Sequence, residues 1–387
     1  MLKVCVDATA VRGKLSGVGF YNLSLIQALQ DLQRQEDFQL SVYFQPALKA
    51  WLQGNLSPSP LLANVSQHYC LPLPVTIADL LMRFPNSRLE GLERRLEQPD
   101  IVQGTDHFVF PCRHSRNILT IHDLTFIKYP QYVSKIVTTY RDRLQRSLKW
   151  TDAVITFAEN TKQDLIEYFK IQPERIYVTP QASRYQINDL ASEQIQSLKS
   201  QSHYDFKRPY LLFVGTLEPR KNIISLIKAF NYLKSTHKIE HQLLLIGQLG
   251  WKYESILAAM QNSPYAAEIH HLSYLSNEQV ALFYSQAEVF VYPSFYEGFG
   301  LPILEAMTLG TPVITSNSSS LPEVTGDAAR LINANDFLEL AETIFQVISD
   351  RTLRAQLIGK GQERARQFSW TKTAQTTLQV YRSVLEF

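Results

Sequence analysis

Residues 294–313 read SFYEGFGLPILEAMTLGTPV, and the order of residue types there governs how the flanking sequence is parsed. Pro302 carries the fixed φ suited to a first helical turn and Gly310 is placed to stop the helix, so a helix of about two turns is expected. At its start, Gly300 and Leu301 expose backbone N–H groups at the positive end of the helix dipole, which is an anion site. Glycine there lets a ligand approach the main chain closely. Glu297 and Glu305 flank the site, and each would repel a bare anion unless it accepts hydrogen bonds from hydroxyls on the same ligand. The pattern asks for an anionic ligand rich in hydroxyl groups.

Outward from this stretch, short apolar runs alternate with longer amphipathic ones. Strands are expected at 3–6, 40–44, 118–121, 153–157 and 176–179, and again at 210–214, 242–246, 269–272, 289–292 and 312–315. Helical patterns fall at 21–32, 137–150, 222–233, 276–285 and 337–348. Such alternation implies parallel sheets with helices on both faces. The series restarts near Tyr210 after a polar stretch at 181–208. The expected fold is α/β, with two Rossmann-like, doubly wound domains facing a cleft: 1–185, a connection at 186–208, 209–368, and a helix in 369–387 that crosses back to the first domain.

Composition bounds the function classes. A chain of 387 residues suits about two domains, and 45% hydrophobic with 11% aromatic residues is a globular composition. A net charge of +2 argues against a dedicated nucleic-acid binder. Cys5, Cys70 and Cys112 are odd in number and widely spaced, which indicates neither a disulfide framework nor a CxxC metal site, so a reducing cytoplasm is the expected home. The opening MLKVCVDATAV reads as a buried strand and not a signal peptide, and no apolar run approaches a bilayer span. Residues 81–96 mix arginines with leucines, a pattern shared by a peripheral membrane-docking helix and an ordinary amphipathic surface helix.

Several other groups could carry chemistry. Gly17, Val18 and Gly19 precede a helix, where N–H groups could face a phosphate or a reacting sugar, or simply turn the chain. FVGTLEPRKN places Gly215 and Thr216 after a strand, then Arg220 and Lys221, two cations able to neutralise a leaving diphosphate or to form a solvated basic turn. ILTIHDLTF puts His122 and Asp123 at the end of another strand, and His107 has a weaker claim. No HExxH, EF-hand loop or Asp-x-Asp pair occurs, so no metal site is expected.

In combination, EGFGLPILE, VDATAV, SGVGFYN, TIHDLTF, VGTLEPRKN and the closing FSW helix resemble retaining family 4 glycosyltransferases of the GT-B fold, whose signature is E-x7-E. The resemblance implies that Glu305 holds the nucleotide ribose and Glu297 lies near the donor sugar's hydroxyls. It implies that backbone groups of Gly298, Phe299, Gly300 and Leu301 hold the distal phosphate and sugar, with Arg220 and Lys221 on the diphosphate. The Gly17–Gly19 loop and His122 match elements near the transferred sugar. On that basis Glu297, His122 and Lys221 are the expected catalytic residues. Gly17, Gly19, Gly215, Thr216, Arg220, Lys221, Gly298, Phe299, Gly300, Leu301 and Glu305 are the expected donor-binding ones. Thr216 stands where many members have arginine, which leaves open the cation that dominates phosphate binding. Such enzymes need no metal or cofactor and retain anomeric configuration by front-face attack within an ion pair, with the leaving diphosphate taking the acceptor's proton. The implied partners are a nucleotide sugar, GDP-mannose or a UDP-sugar, and a polysaccharide, lipid-linked or other glycan acceptor, at the inner face of the membrane or free in the cytoplasm. A non-catalytic, glycan-binding subunit of a transferase is the alternative.

Overall fold

The computed structural model describes residues 1–13, 15–81, 93–134, 137, 139–187, 192–202, 204–273 and 275–386. The segment 81–96, in which a surface or membrane helix is expected, lies mostly outside them. The chain divides into two compact units: Met1–Leu124, Ile136–Gln181 and Trp370–Phe387 form the first, and Thr125–Lys135 with Ala182–Ser369 form the second. The stretch expected as a connection groups with the second unit and contains a helix, Ser192–Gln201.

The first unit is built on a seven-stranded sheet in the order β3-β2-β1-β4-β5-β6-β7. Its strands are β1 (Leu2–Asp7), β2 (Phe38–Phe44), β3 (His68–Cys70), β4 (Ile101–Gly104), β5 (Arg116–Thr120), β6 (Ala153–Thr156) and β7 (Ile176–Val178). Every pairing is parallel. A parallel sheet is covered on both faces, which is why its central strands carry near-continuous apolar runs such as Val4–Cys5–Val6 and Ile118–Leu119, all fully buried.

Helix α1 (Gly17–Leu32) makes the crossover from β1 to β2, and Ser16 caps it by accepting the Gly19 N–H at 3.2 Å. The two glycines of this turn differ in their surroundings. A Cβ on Gly19 would lie 2.6 Å from the Ala10 carbonyl oxygen, whereas one on Gly17 would meet nothing within 4 Å. Gly19→Ala is therefore expected to destabilise the protein by ~1–3 kcal/mol in urea unfolding, while Gly17→Ala stays within about 0.5 kcal/mol. Equal stability of the two variants would refute the packing role of Gly19.

The second unit has a six-stranded sheet in the order β10-β9-β8-β11-β12-β13. The strands are β8 (Tyr210–Val214), β9 (Gln242–Ile246), β10 (Ile269–Leu272), β11 (Val289–Tyr292), β12 (Val313–Ser316) and β13 (Arg330–Ile332), again all parallel. Strand order reverses between β8 and β11, so the crevice beyond their carboxyl ends is the switch point where doubly wound sheets bind ligands. Helix α2 (Ile223–Tyr232) follows β8, and α3 (Leu301–Thr308) follows β11.

The chain then returns to the first unit. Helix α4 (Trp370–Leu385) lays Thr373, Ala374, Thr377, Leu378, Tyr381 and Val384 inward as one stripe. The Trp370 ring meets Phe20 of α1 edge-on at 5.8 Å, Thr373 Oγ1 donates to the Pro180 carbonyl at 2.6 Å, and Arg382 pairs with Glu36 at 2.9 Å. The expected return of the last helix to the first domain is what the fold shows. Among the described residues no helix is long and apolar enough to cross a membrane.

Candidate active site

The site of the second unit is assembled from the two segments that leave β8 and β11. After Gly215, the single 3-10 turn Pro219–Lys221 presents two adjacent cations. Asn222 anchors this turn, its Nδ2 donating to the carbonyls of Pro293 at 3.1 Å and Ala334 at 2.7 Å. The Phe295 N–H donates to the Arg220 carbonyl at 3.0 Å, which joins the two segments side by side.

Glu297 bridges both cations, one oxygen to each. Arg220 Nη1 donates to Glu297 Oε2 at 2.7 Å, and Lys221 Nζ donates to Glu297 Oε1 at 2.6 Å. Arg220 also reaches Glu218 Oε1 at 2.9 Å through Nη2 and the Tyr296 carbonyl at 2.7 Å, and Lys221 reaches the Tyr292 hydroxyl at 2.6 Å. Glu218, Lys221 and Glu297 are 2%, 7% and 6% exposed, so the charges are balanced where water cannot screen them. Burial alone would raise the Glu297 carboxyl, but Arg220 and Lys221 outweigh it and hold the group down at about 2. Burial and the neighbouring Arg220 push the Lys221 ammonium below its ordinary value, against the pull of Glu297 and Glu218.

A carboxyl depressed on folding stabilises the fold above its unfolded pKa, and the contribution is lost as pH falls through the folded one. The Glu297 contribution is thus complete above about pH 4.5 and disappears between there and about pH 2. It amounts to ~3 kcal/mol at one pKa unit per 1.4 kcal/mol. Denaturant unfolding from pH 7 down to 3 is expected to show a shallower fall for Glu297→Gln than for the parent, and parallel curves would disprove it.

Glu297 also begins the loop into α3. Ser319 Oγ accepts the Glu297 N–H at 2.9 Å, and the Ser320 hydroxyl contacts the carbonyls of Glu297 at 2.9 Å and Phe299 at 2.8 Å. Gly300 caps the helix at φ +113°, a conformation that favours glycine. Among the described residues, the N–H groups of Gly298, Phe299, Gly300 and Leu301 have no hydrogen-bond partner. The loop is fastened through its carbonyls and serines while its donors stay open. One turn into the helix, Glu305 is 1% exposed. Its Oε1 accepts from Arg184 Nε at 2.6 Å, and its Oε2 lies 3.3 Å from the Tyr284 hydroxyl.

The remaining expected residues, Gly17, Gly19 and His122, belong to the first unit. The His122 Nε2 lies 2.7 Å from the Thr105 carbonyl, which can only accept, so Nε2 carries the proton. Burial and the neighbouring His107 lower the pKa of His122, favouring a neutral ring with Nδ1 as acceptor. His107 faces acceptors on both nitrogens, Asp106 Oδ1 and the Asp123 carbonyl, each at 3.1 Å. It is therefore the imidazolium of the pair; burial opposes this, but the Asp106 carboxylate raises its pKa. Among the described residues no three His, Cys, Asp or Glu side chains converge as metal ligands.

Glu218, Arg184, Tyr284 and Tyr292 complete the second-unit site without having been singled out in the sequence. Glu218 stands inside the LEPRK block and could have been read as a counter-charge, whereas Arg184 is 121 residues from Glu305 and gives no local signal.

Comparison with known proteins assigns the class. Residues 15–182 match the model of Glycosyltransferase Family 4, and residues 194–364 match that of Glycosyl transferases group 1. The O-antigen chain mannosyltransferase B of Escherichia coli is 30% identical over 394 residues, covering 98% of this chain and 100% of the relative. Two solved structures share the fold. Sucrose-phosphate synthase from Thermosynechococcus elongatus has a TM-score of 0.74 at 20% identity, with 100% of both chains covered. HepE of Anabaena, in complex with UDP and glucose, has 0.72 at 17% identity, with 99% and 100% covered. The chain belongs to the group 1, family 4 glycosyltransferases, enzymes of the GT-B fold.

Proposed function

We propose that the protein transfers a hexose, mannose first among the candidates, from a nucleotide-diphosphate sugar to a glycan acceptor, with retention of anomeric configuration and without a metal ion. The observation that carries this reading is the placement of Arg220 and Lys221, bridged by Glu297, on the segment that joins the four open N–H groups of Gly298–Leu301. Lys221 has three N–H donors and spends two on Glu297 and Tyr292, which leaves capacity for a phosphate oxygen. Together with the helix start, these donors stabilise negative charge as it builds on the leaving diphosphate. Glu297, ionised at neutral pH, cannot act as the acid; it accepts hydroxyls of the donor sugar and fixes the cations in place. The departing diphosphate takes the acceptor's proton.

Mannose is favoured because the relative aligned over its full length is named a mannosyltransferase, so GDP-mannose is the first donor and a UDP-sugar the second. A thermal-shift series with GDP-mannose, UDP-glucose, ADP-glucose and dTDP-glucose is expected to give its largest rise with GDP-mannose. A ligand at a hundred times its Kd adds about 2.7 kcal/mol to the native state. No shift with any of them would defeat the reading. Turnover is expected to survive EDTA, and the new linkage to keep the donor's configuration by NMR; a rate that EDTA abolishes and Mg²⁺ restores would disprove metal independence.

A further inference from the structure

Glu297 and Glu305 flank the open N–H groups of Gly298–Leu301, and a bare carboxylate in either place repels an incoming diphosphate. Arg220 and Lys221 answer the charge of Glu297. Glu305 has a counter-ion of its own, brought in from a distant stretch of chain. Arg184 Nε donates to Glu305 Oε1 at 2.6 Å, and Arg184 Nη1 donates to Asn277 Oδ1 at 3.2 Å. The guanidinium therefore balances the carboxylate while occupying one of its roughly four lone-pair sites.

Arg184 is itself held in place by the residues around it. Ser183 Oγ accepts the Tyr185 N–H at 3.0 Å, which turns the chain at Arg184. The Tyr185 hydroxyl donates to the Asn277 carbonyl at 3.0 Å, and the guanidinium lies 5.8 Å from the centre of the Tyr185 ring. Asn277 begins the helix Asn277–Gln286, whose Tyr284 brings its hydroxyl to 3.3 Å from Glu305 Oε2. These contacts close a ring that runs from Arg184 through Asn277 and Tyr284 to Glu305. Within it Oε1 is the anchored oxygen. The Tyr284 contact exceeds the usual O–H···O range, so Oε2 is able to accept a second, shorter hydrogen bond. The Glu305 side chain is 2% exposed and that of Arg184 is 29% exposed, which makes the guanidinium the solvent-facing member of the pair.

We infer that Arg184 is a positioning residue for nucleotide recognition: it fixes Glu305 through Oε1 so that Oε2 meets the ribose hydroxyls, and it keeps the carboxylate from repelling the diphosphate. The planar fork suits both tasks, since one guanidinium spans Glu305 and Asn277 and carries the charge. The inference rests on the transferase reading and on Glu305 as the ribose acceptor.

The test is calorimetry of the full chain with GDP and 2′,3′-dideoxy-GDP, and with the uridine pair in parallel, for the parent, Arg184→Met, Arg184→Lys and Glu305→Ala. Methionine removes both charge and fork, whereas lysine keeps the charge alone. Arg184→Met is expected to bind both nucleotides more weakly and to lower the parent's preference for the hydroxylated one by at least about fivefold. A site that is merely loosened weakens both in proportion and leaves that preference unchanged. Arg184→Lys is expected to bind GDP more nearly as the parent does, yet to lose at least about threefold of the preference. Urea unfolding identifies the variants that fold, and the lysine variant decides alone where the methionine variant does not. A parental preference in either folded variant overturns the inference, and its loss in Glu305→Ala within the same series leaves the ribose role of Glu305 standing. A parent that shows no preference overturns that role and the inference with it.

Discussion

Glu297→Gln is expected to lower kcat by ~10²–10³-fold, the scale of losing one preorganised electrostatic contact in a dry site, while nucleoside diphosphate binds as tightly as to the parent or more tightly. The two effects separate because Glu297 stands in two relations at once. Towards the donor sugar it is an acceptor of hydroxyls, and a glutamine offers one oxygen and no charge. Towards Arg220 and Lys221 it is the shared counter-ion, at 2.7 and 2.6 Å. Neutralising it leaves the site one unit more positive, which favours an incoming diphosphate. Without ligand the same change leaves buried cations underpaired, at a cost of ~3–5 kcal/mol when nothing else compensates, lessened by the Glu218 contact that Arg220 keeps. The variant should therefore unfold earlier in urea than the parent and regain more stability from added GDP or UDP. Parental kcat would remove Glu297 from the chemistry, and weaker nucleotide binding would remove it as counter-ion.

How much of this was legible in the sequence depends on the range of each contact. β8, β9 and β11 fall at the expected residues because each is four or five residues long and buried in a two-faced sheet, with at least four apolar residues in a row; β10, the edge strand IHHL, also falls where expected, though only its first residue is buried. β3 and β13 have three residues each, HYC and RLI, and begin on a polar residue, unlike the equally short but apolar β7 (IYV), and β4 ends in Gln103–Gly104; of these, β3, β4 and β13 were not foreseen. The candidate site divides the same way. Pro302, Gly300 and Gly310 announce α3 through backbone preferences that act within one turn, and Arg220 and Lys221 stand out against the helix dipole that follows them. That Glu297 ties those two cations together depends on β8 and β11 being neighbours in the sheet, a non-local fact. Residues 125–135 join the second unit through contacts such as the Tyr132 ring stacked on Phe295 at 5.4 Å and Trp251 Nε1 donating to the Tyr132 carbonyl, which link positions more than a hundred residues apart. No composition or spacing encodes them.

Glu305→Ala is expected to weaken nucleoside diphosphate binding by ~10–100-fold, because a hydrogen bond to a charged acceptor contributes about 1.5–3 kcal/mol. The difficulty is that Glu305 also holds the fold together. It is 1% exposed, and its Oε1 is engaged by Arg184. Burial works against the Arg184 charge, but Glu305 overrides it and keeps the guanidinium above its ordinary pKa. Removing the carboxylate takes this counter-ion from Arg184, which keeps its contact to Asn277 Oδ1 at 3.2 Å, so lost affinity alone could mean a loosened site and nothing about ribose. A cycle that changes the ligand as well separates the two. The parent should bind 2′,3′-dideoxy-GDP ~10–100-fold more weakly than GDP, and Glu305→Ala should bind the two nearly alike, since the hydroxyls no longer have their acceptor. A structural loss would weaken both nucleotides in proportion and preserve their ratio. UDP and its dideoxy form serve in parallel should the uridine series bind better. If calorimetry returns the same ratio for parent and variant, Glu305 does not hold the ribose, and its pairing with Arg184 is its whole role.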